Sequence, residues 1–69
     1  MPIQHKKAFG IYHWDTFDNV TLLIDEAKTF KEAEEKVQKH YGDRIRGSGA
    51  DQVDIVDKKG NVVRSYKVG

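Results

Sequence analysis

The chain has 69 residues, 38% hydrophobic and 33% charged, with 12 Lys and Arg against 11 Asp and Glu for a net charge of +1. A chain of this size makes one small domain with a thin core, because it buries only about 60% of its unfolded surface. The absence of cysteine excludes disulfide staples and thiolate metal sites, and the near balance of charge lacks the basic excess of a dedicated nucleic-acid binder.

Residues 1–69 therefore read as a single domain. No apolar run approaches the roughly 20 residues of a membrane helix. Met1-Pro2-Ile3-Gln4-His5-Lys6-Lys7 has no apolar core after its charges, so it is not a signal peptide. The expectation is a cytoplasmic protein with no membrane association and a flexible N-terminal segment over residues 1–7.

From Ala8 to Thr16 the aromatic and β-branched residues predict a strand. Alternation sets Phe9, Ile11 and His13 on one face and Tyr12, Trp14 and Thr16 on the other. Phe17-Asp18-Asn19 is turn chemistry, since Asp and Asn tolerate left-handed backbone. Val20 to Asp25 completes a hairpin, with Val20, Leu22 and Ile24 on one face and Thr21, Leu23 and Asp25 opposite. Thr29-Phe30-Lys31-Glu32 is a capping box. The Thr29 hydroxyl can accept the Glu32 amide, and Glu32 can reach back to the Thr29 amide. The helix runs from Phe30 to Tyr41 on a narrow stripe of Phe30, Ala33, Val37 and Tyr41, and Gly42 ends it.

Asp43 to Asp51 is a connection with a small basic cluster, Arg44 and Arg46. Gln52 to Asp57 reads as a third strand, with Val53 and Ile55 toward the core. Asp57-Lys58-Lys59-Gly60-Asn61 is a turn with Gly60 at positive φ, and Val62 to Val68 is the fourth strand. Its buried face stays open, because the more apolar set Val62, Tyr66 and Val68 also includes Arg64. The sum is an α+β domain, two β-hairpins flanking one helix (ββαββ), with the helix on one face of a four-stranded sheet.

Two features resemble known families. Thr29-Phe30-Lys31-Glu32-Ala33 follows a Thr-x-x-Glu-Ala helix start, and Val53 to Val62 follows Val-x-Ile-x-Asp-x-x-Gly-x-Val. With the aromatic N-terminal hairpin, these resemble a small bacterial domain family of unknown function. The resemblance covers about two thirds of the chain, with the 43–51 loop longer and more basic here. It implies the same fold and no established activity. The start at Pro2-Ile3 and the short length are similar to the small tautomerases. That resemblance implies Pro2 as a general base with Arg44 or Arg46 as oxyanion partner, but residues 11–27 read as a hairpin where that fold needs a long helix.

The remaining chemistry is sparse. His5, His13 and His40 lie in separate elements without ligand spacing, so no metal or cofactor is expected. His13 is expected half-buried and hydrogen-bonded, or at a sheet edge, and Asp51, Asp54 and Asp57 are expected as turn and solvent residues. Gly47-Ser48-Gly49 follows a helix and so is a loop rather than a nucleophile turn or phosphate loop. One helix covers one sheet face, which leaves Tyr12, Trp14 and Leu23 on the other. The expected function is a non-enzymatic module that self-associates or binds a protein through that face. The alternative is nucleic-acid binding, with the aromatics stacking bases and Arg44, Arg46, Lys58, Lys59 and Lys67 contacting phosphates.

Overall fold

The computed structural model describes residues 5–45, 47 and 49–69. Its elements are β1 (Phe9–Asp15), β2 (Val20–Ala27), α1 (Phe30–Tyr41), a 3-10 turn at Gly42–Arg44, β3 (Asp51–Val56) and β4 (Val62–Val68). The strands form one sheet in the order β2-β1-β3-β4, every neighbouring pair antiparallel. The architecture is ββαββ, with α1 packed over β1 and β2.

Local chemistry explains where elements begin and end. Asn19 holds φ 54° in the first hairpin turn, and Gly60 holds φ 91° in the second. Thr29 Oγ1 accepts the Glu32 amide at 3.1 Å. The Glu32 carboxylate accepts the Lys28 amide at 3.3 Å, one residue before the amide that the capping box predicts. Gly42, at φ 43°, ends the helix. Lys39 and His40 in the last turn suit the negative end of the helix dipole.

The central strands supply the most completely buried side chains. Ile11, Val53, Ile55 and Val68 from the sheet meet Ala33, Val37 and Tyr41 from the helix. Each large aliphatic group buried this way contributes about 1.5–3 kcal/mol. Phe9 packs edge-on against Phe30 with ring centroids 6.1 Å apart, closing one end. The face of β4 that composition left open is settled by its neighbours: Tyr66 and Val68 join the core side. Arg64 is tolerated beside them because its guanidinium lies 5.0 Å over the Tyr66 ring and pairs with Glu34 on α1 at 3.3 Å.

Both outer strands carry one extra residue. Ile11 faces Asp25 but Tyr12 faces Leu23, so Ile24 is a bulge in β2. Ile55 faces Arg64 but Val56 faces Val62, so Val63 is a bulge in β4. A bulge resets the alternation downstream. Strict alternation sets Asp25 on the face of Leu23; the bulge turns it to the helix side instead. There it receives Lys36 Nζ at 3.3 Å and His40 Nε2 at 3.0 Å. Ala27 follows in the same phase and is fully buried. Among the described residues, no helix is long and apolar enough to cross a membrane.

Candidate functional site

The register turns the uncovered face into three cross-strand rows. Lys67, Gln52, Trp14 and Thr21 make the first, and Ser65, Asp54, Tyr12 and Leu23 the second. Val62, Val56, Gly10 and Glu26 make the third. Tyr12, Trp14 and Leu23 thus share a face, as alternation predicts, with Tyr12 and Leu23 directly opposite each other. Val62, rather than the bulged Val63, stands opposite Val56.

The three apolar groups differ in access. Trp14 is 40% exposed, and its indole Nε1–H donates to Asn19 Oδ1 at 3.2 Å. Leu23 is half-buried. Tyr12 is only 7% exposed, and its phenol pairs with His5 Nδ1 at 3.0 Å. Burial pushes the Tyr12 phenol up from its ordinary pKa. Three polar members of the grid satisfy one another: Ser65 Oγ and Gln52 Nε2 both donate to Asp54 Oδ1, at 2.7 and 2.9 Å.

The covered side holds a second cluster that no local signal announced. His13 Nε2 lies 3.0 Å from Asp51 Oδ2, and His13 Nδ1 lies 2.7 Å from the Tyr41 hydroxyl. A carboxylate only accepts, so Nε2 carries the proton toward Asp51. In the neutral imidazole, Nδ1 then accepts from Tyr41. Asp51 Oδ1 also accepts the Thr16 amide and hydroxyl, both at 3.2 Å. The hydrogen bond from His13, more than any other contact, holds the Asp51 carboxyl below its ordinary pKa. His13 is half-buried and hydrogen-bonded as expected, whereas Asp51 starts a strand and ties three elements together instead of standing as a solvent residue. Burial raises the Tyr41 phenol pKa, so at neutral pH it is a hydroxyl and not a phenolate nucleophile. The cluster fastens the helix end to the sheet.

The other expected residues fall elsewhere. Asp57 closes its turn by accepting the Lys59 and Asn61 amides at 2.9 Å each. Arg44 lies 5.6 Å over the Tyr41 ring and donates to the Gly69 carbonyl at 3.2 Å, beside the end of β4. Lys58 and Lys59 sit in the turn before β4 begins. A strand of seven residues spans about 20 Å, so these cations lie at opposite ends of β4 and are not gathered into one track. Among the described residues of this set, Lys67 stands in the open-face grid, and Lys58 Nζ donates to the Lys6 carbonyl. Pro2, Arg46 and Ser48 lie outside the described residues. Among the described residues, no three His, Asp or Glu side chains converge as metal ligands. No protein-family model matches the chain, and no curated protein or solved structure matches it.

Proposed function

We propose that this protein is a non-enzymatic interaction module that pairs with a second copy of itself through the open face of its sheet. The observation that carries the reading is the 40% exposed Trp14 amid Tyr12, Leu23 and Val56 on a face that no helix covers. The distribution of charge favours a second copy as the occupant. Lys67 stands at one corner of the grid and Glu26 at the diagonally opposite corner. Strand and residue spacings make the grid about 14 Å on each side. A two-fold axis along the other diagonal then brings each Lys67 over the partner's Glu26, with the two sheets crossing near right angles.

Such a patch is well below the ~800 Å² per partner of a standard interface, so the pair is weak and reversible. The reading assigns the protein to the cytoplasm, in keeping with a chain free of cysteine. The dispersed placement of Arg44, Lys58 and Lys59 counts against the nucleic-acid alternative. Light scattering up to millimolar concentration tests the reading. The expected result is a mass rising from one chain toward two, with the rise abolished in a folded Trp14→Ala variant. Association that survives Trp14→Ala unchanged overturns the reading, as does a wild-type mass that never departs from one chain.

A further inference from the structure

The open face is not bare at its acidic corner. Residues 5–7 run back over it and are held there at several points. His5 stacks edge-on against Tyr12, ring centroids 5.8 Å apart, and shares the hydrogen bond to its hydroxyl. The amides of Lys6 and Lys7 both donate to Glu26 Oε1. Lys58 Nζ, from the turn before β4, donates to the Lys6 carbonyl at 2.7 Å. These bonds hold the Glu26 carboxyl below its ordinary pKa, the Lys7 amide contributing most.

Gly10 shows that this seat is built in. It lies inside a central strand, where glycine weakens packing and order, and its backbone is not in the left-handed region. A Cβ placed there meets the His5 Nδ1, Cγ and Cβ atoms at 2.5–2.9 Å. The missing side chain is thus the space that His5 occupies. The seat also carries a standing cost: His5 Nε2 is buried without a hydrogen-bond partner among the described residues. An unpaired buried polar atom opposes the contacts that bury it.

We infer that residues 5–7 form a releasable strap that gates self-association by covering Tyr12 and occupying Glu26. The inference rests on the proposed pairing through this face. A partner's Lys67 needs the same carboxylate that the strap amides hold, and the partner's sheet needs the surface over Gly10 and Tyr12 that His5 covers. Strap and second copy therefore compete. Pairing needs both copies open, so a strap closed about nine times in ten lowers the apparent affinity about a hundredfold below that of the open chain.

Gly10→Ala expels His5 while leaving Glu26, Lys67 and Trp14 in place. His5→Ala removes the ring and keeps the glycine, which guards against a folding defect from the new methyl group. Each full-length variant is compared with wild type by light scattering and by amide hydrogen exchange. Exchange at Lys6 and Lys7 reports the strap, and exchange at Ile11 and Ile55 reports the fold. The expected result is faster exchange at Lys6 and Lys7, unchanged exchange in the core, and a dimerisation midpoint about a hundredfold lower in concentration. Faster strap exchange with an unmoved midpoint overturns the gate and leaves the pairing standing. A midpoint that falls in Gly10→Ala and is unaffected by adding Trp14→Ala shows pairing elsewhere, and both readings fall.

Discussion

Along β1, Ile11 and His13 point toward the helix while Tyr12 and Trp14 point away, so one strand supplies two faces of unlike chemistry. On the helix side Ile11, Val53, Ile55 and Val68 retain no exposed surface, whereas Leu22, opposite His13 near the first hairpin turn, keeps 51% of its own. On the open side Gln52 and Ser65 bond to Asp54, yet Trp14 and Val62 keep 40% and 55% of their surface exposed. The helix side holds the fold together, and the open side is left with apolar surface that folding does not use. Substitutions at adjacent positions on one strand should therefore have unlike consequences.

The largest effect is expected on the covered side. Ile55→Ala removes a fully buried group flanked by β1 and β4 and should cost about 2–5 kcal/mol in urea unfolding. A cost below that range would mean the sheet can collapse around the void. Tyr41→Phe keeps the ring and deletes only the hydroxyl that satisfies His13, so a loss of about 1–2 kcal/mol is expected in the same assay. Thr29→Ala removes the helix cap and should cost about 1 kcal/mol, seen as a lower thermal midpoint.

Acid tests the same side through Asp25. The hydrogen bond from His40, with Lys36 alongside, lowers its pKa from 3.8 to about 2. A carboxyl with a lowered folded-state pKa binds its proton more readily in the unfolded chain. Its contribution is therefore complete above about pH 4 and is lost as pH falls toward 2. Asp25→Asn should flatten that part of the stability–pH curve, and an unchanged acid limb would sink the assignment. The smallest effect on folding is expected from Trp14→Ala on the open side, under about 1 kcal/mol. A Trp14→Ala variant that unfolds would erase the contrast between the faces.

How much of this was legible in the sequence depended on distance along the chain. Thr29, Gly42, Gly60 and Asn19 act within a few residues of themselves, and their roles in caps and turns could be read directly. The phase of β1 was less plain, because Phe9 and Ile11 on one face and Tyr12 and Trp14 on the other are both apolar, and a one-residue slip would have put Trp14 in the core. The phase of β4 was not plain either, since Arg64 looks misplaced until Tyr66 and Glu34 are beside it. His13 meets Tyr41 and Asp51 across 28 and 38 residues of chain, a separation that carries no spacing signal. The bulge at Ile24 hid Asp25 in the same way, since a one-residue insertion inverts the alternation after it. The strap did leave a mark: a lone glycine in an aromatic strand signals close approach, and Gly10 is that glycine.

The two extra residues at Ile24 and Val63 both fall on the outermost strands. A regular outer strand is a template on which another chain can lay its own backbone, and each addition offers a fresh template to the next. An interrupted ladder makes a poor template. In the proposed pairing each copy uses its open face once, and a face used once gives a closed pair instead of a growing ribbon. Under the proposed pairing the bulges set valency: they block growth along the outer strands, so association through the open face stops at two.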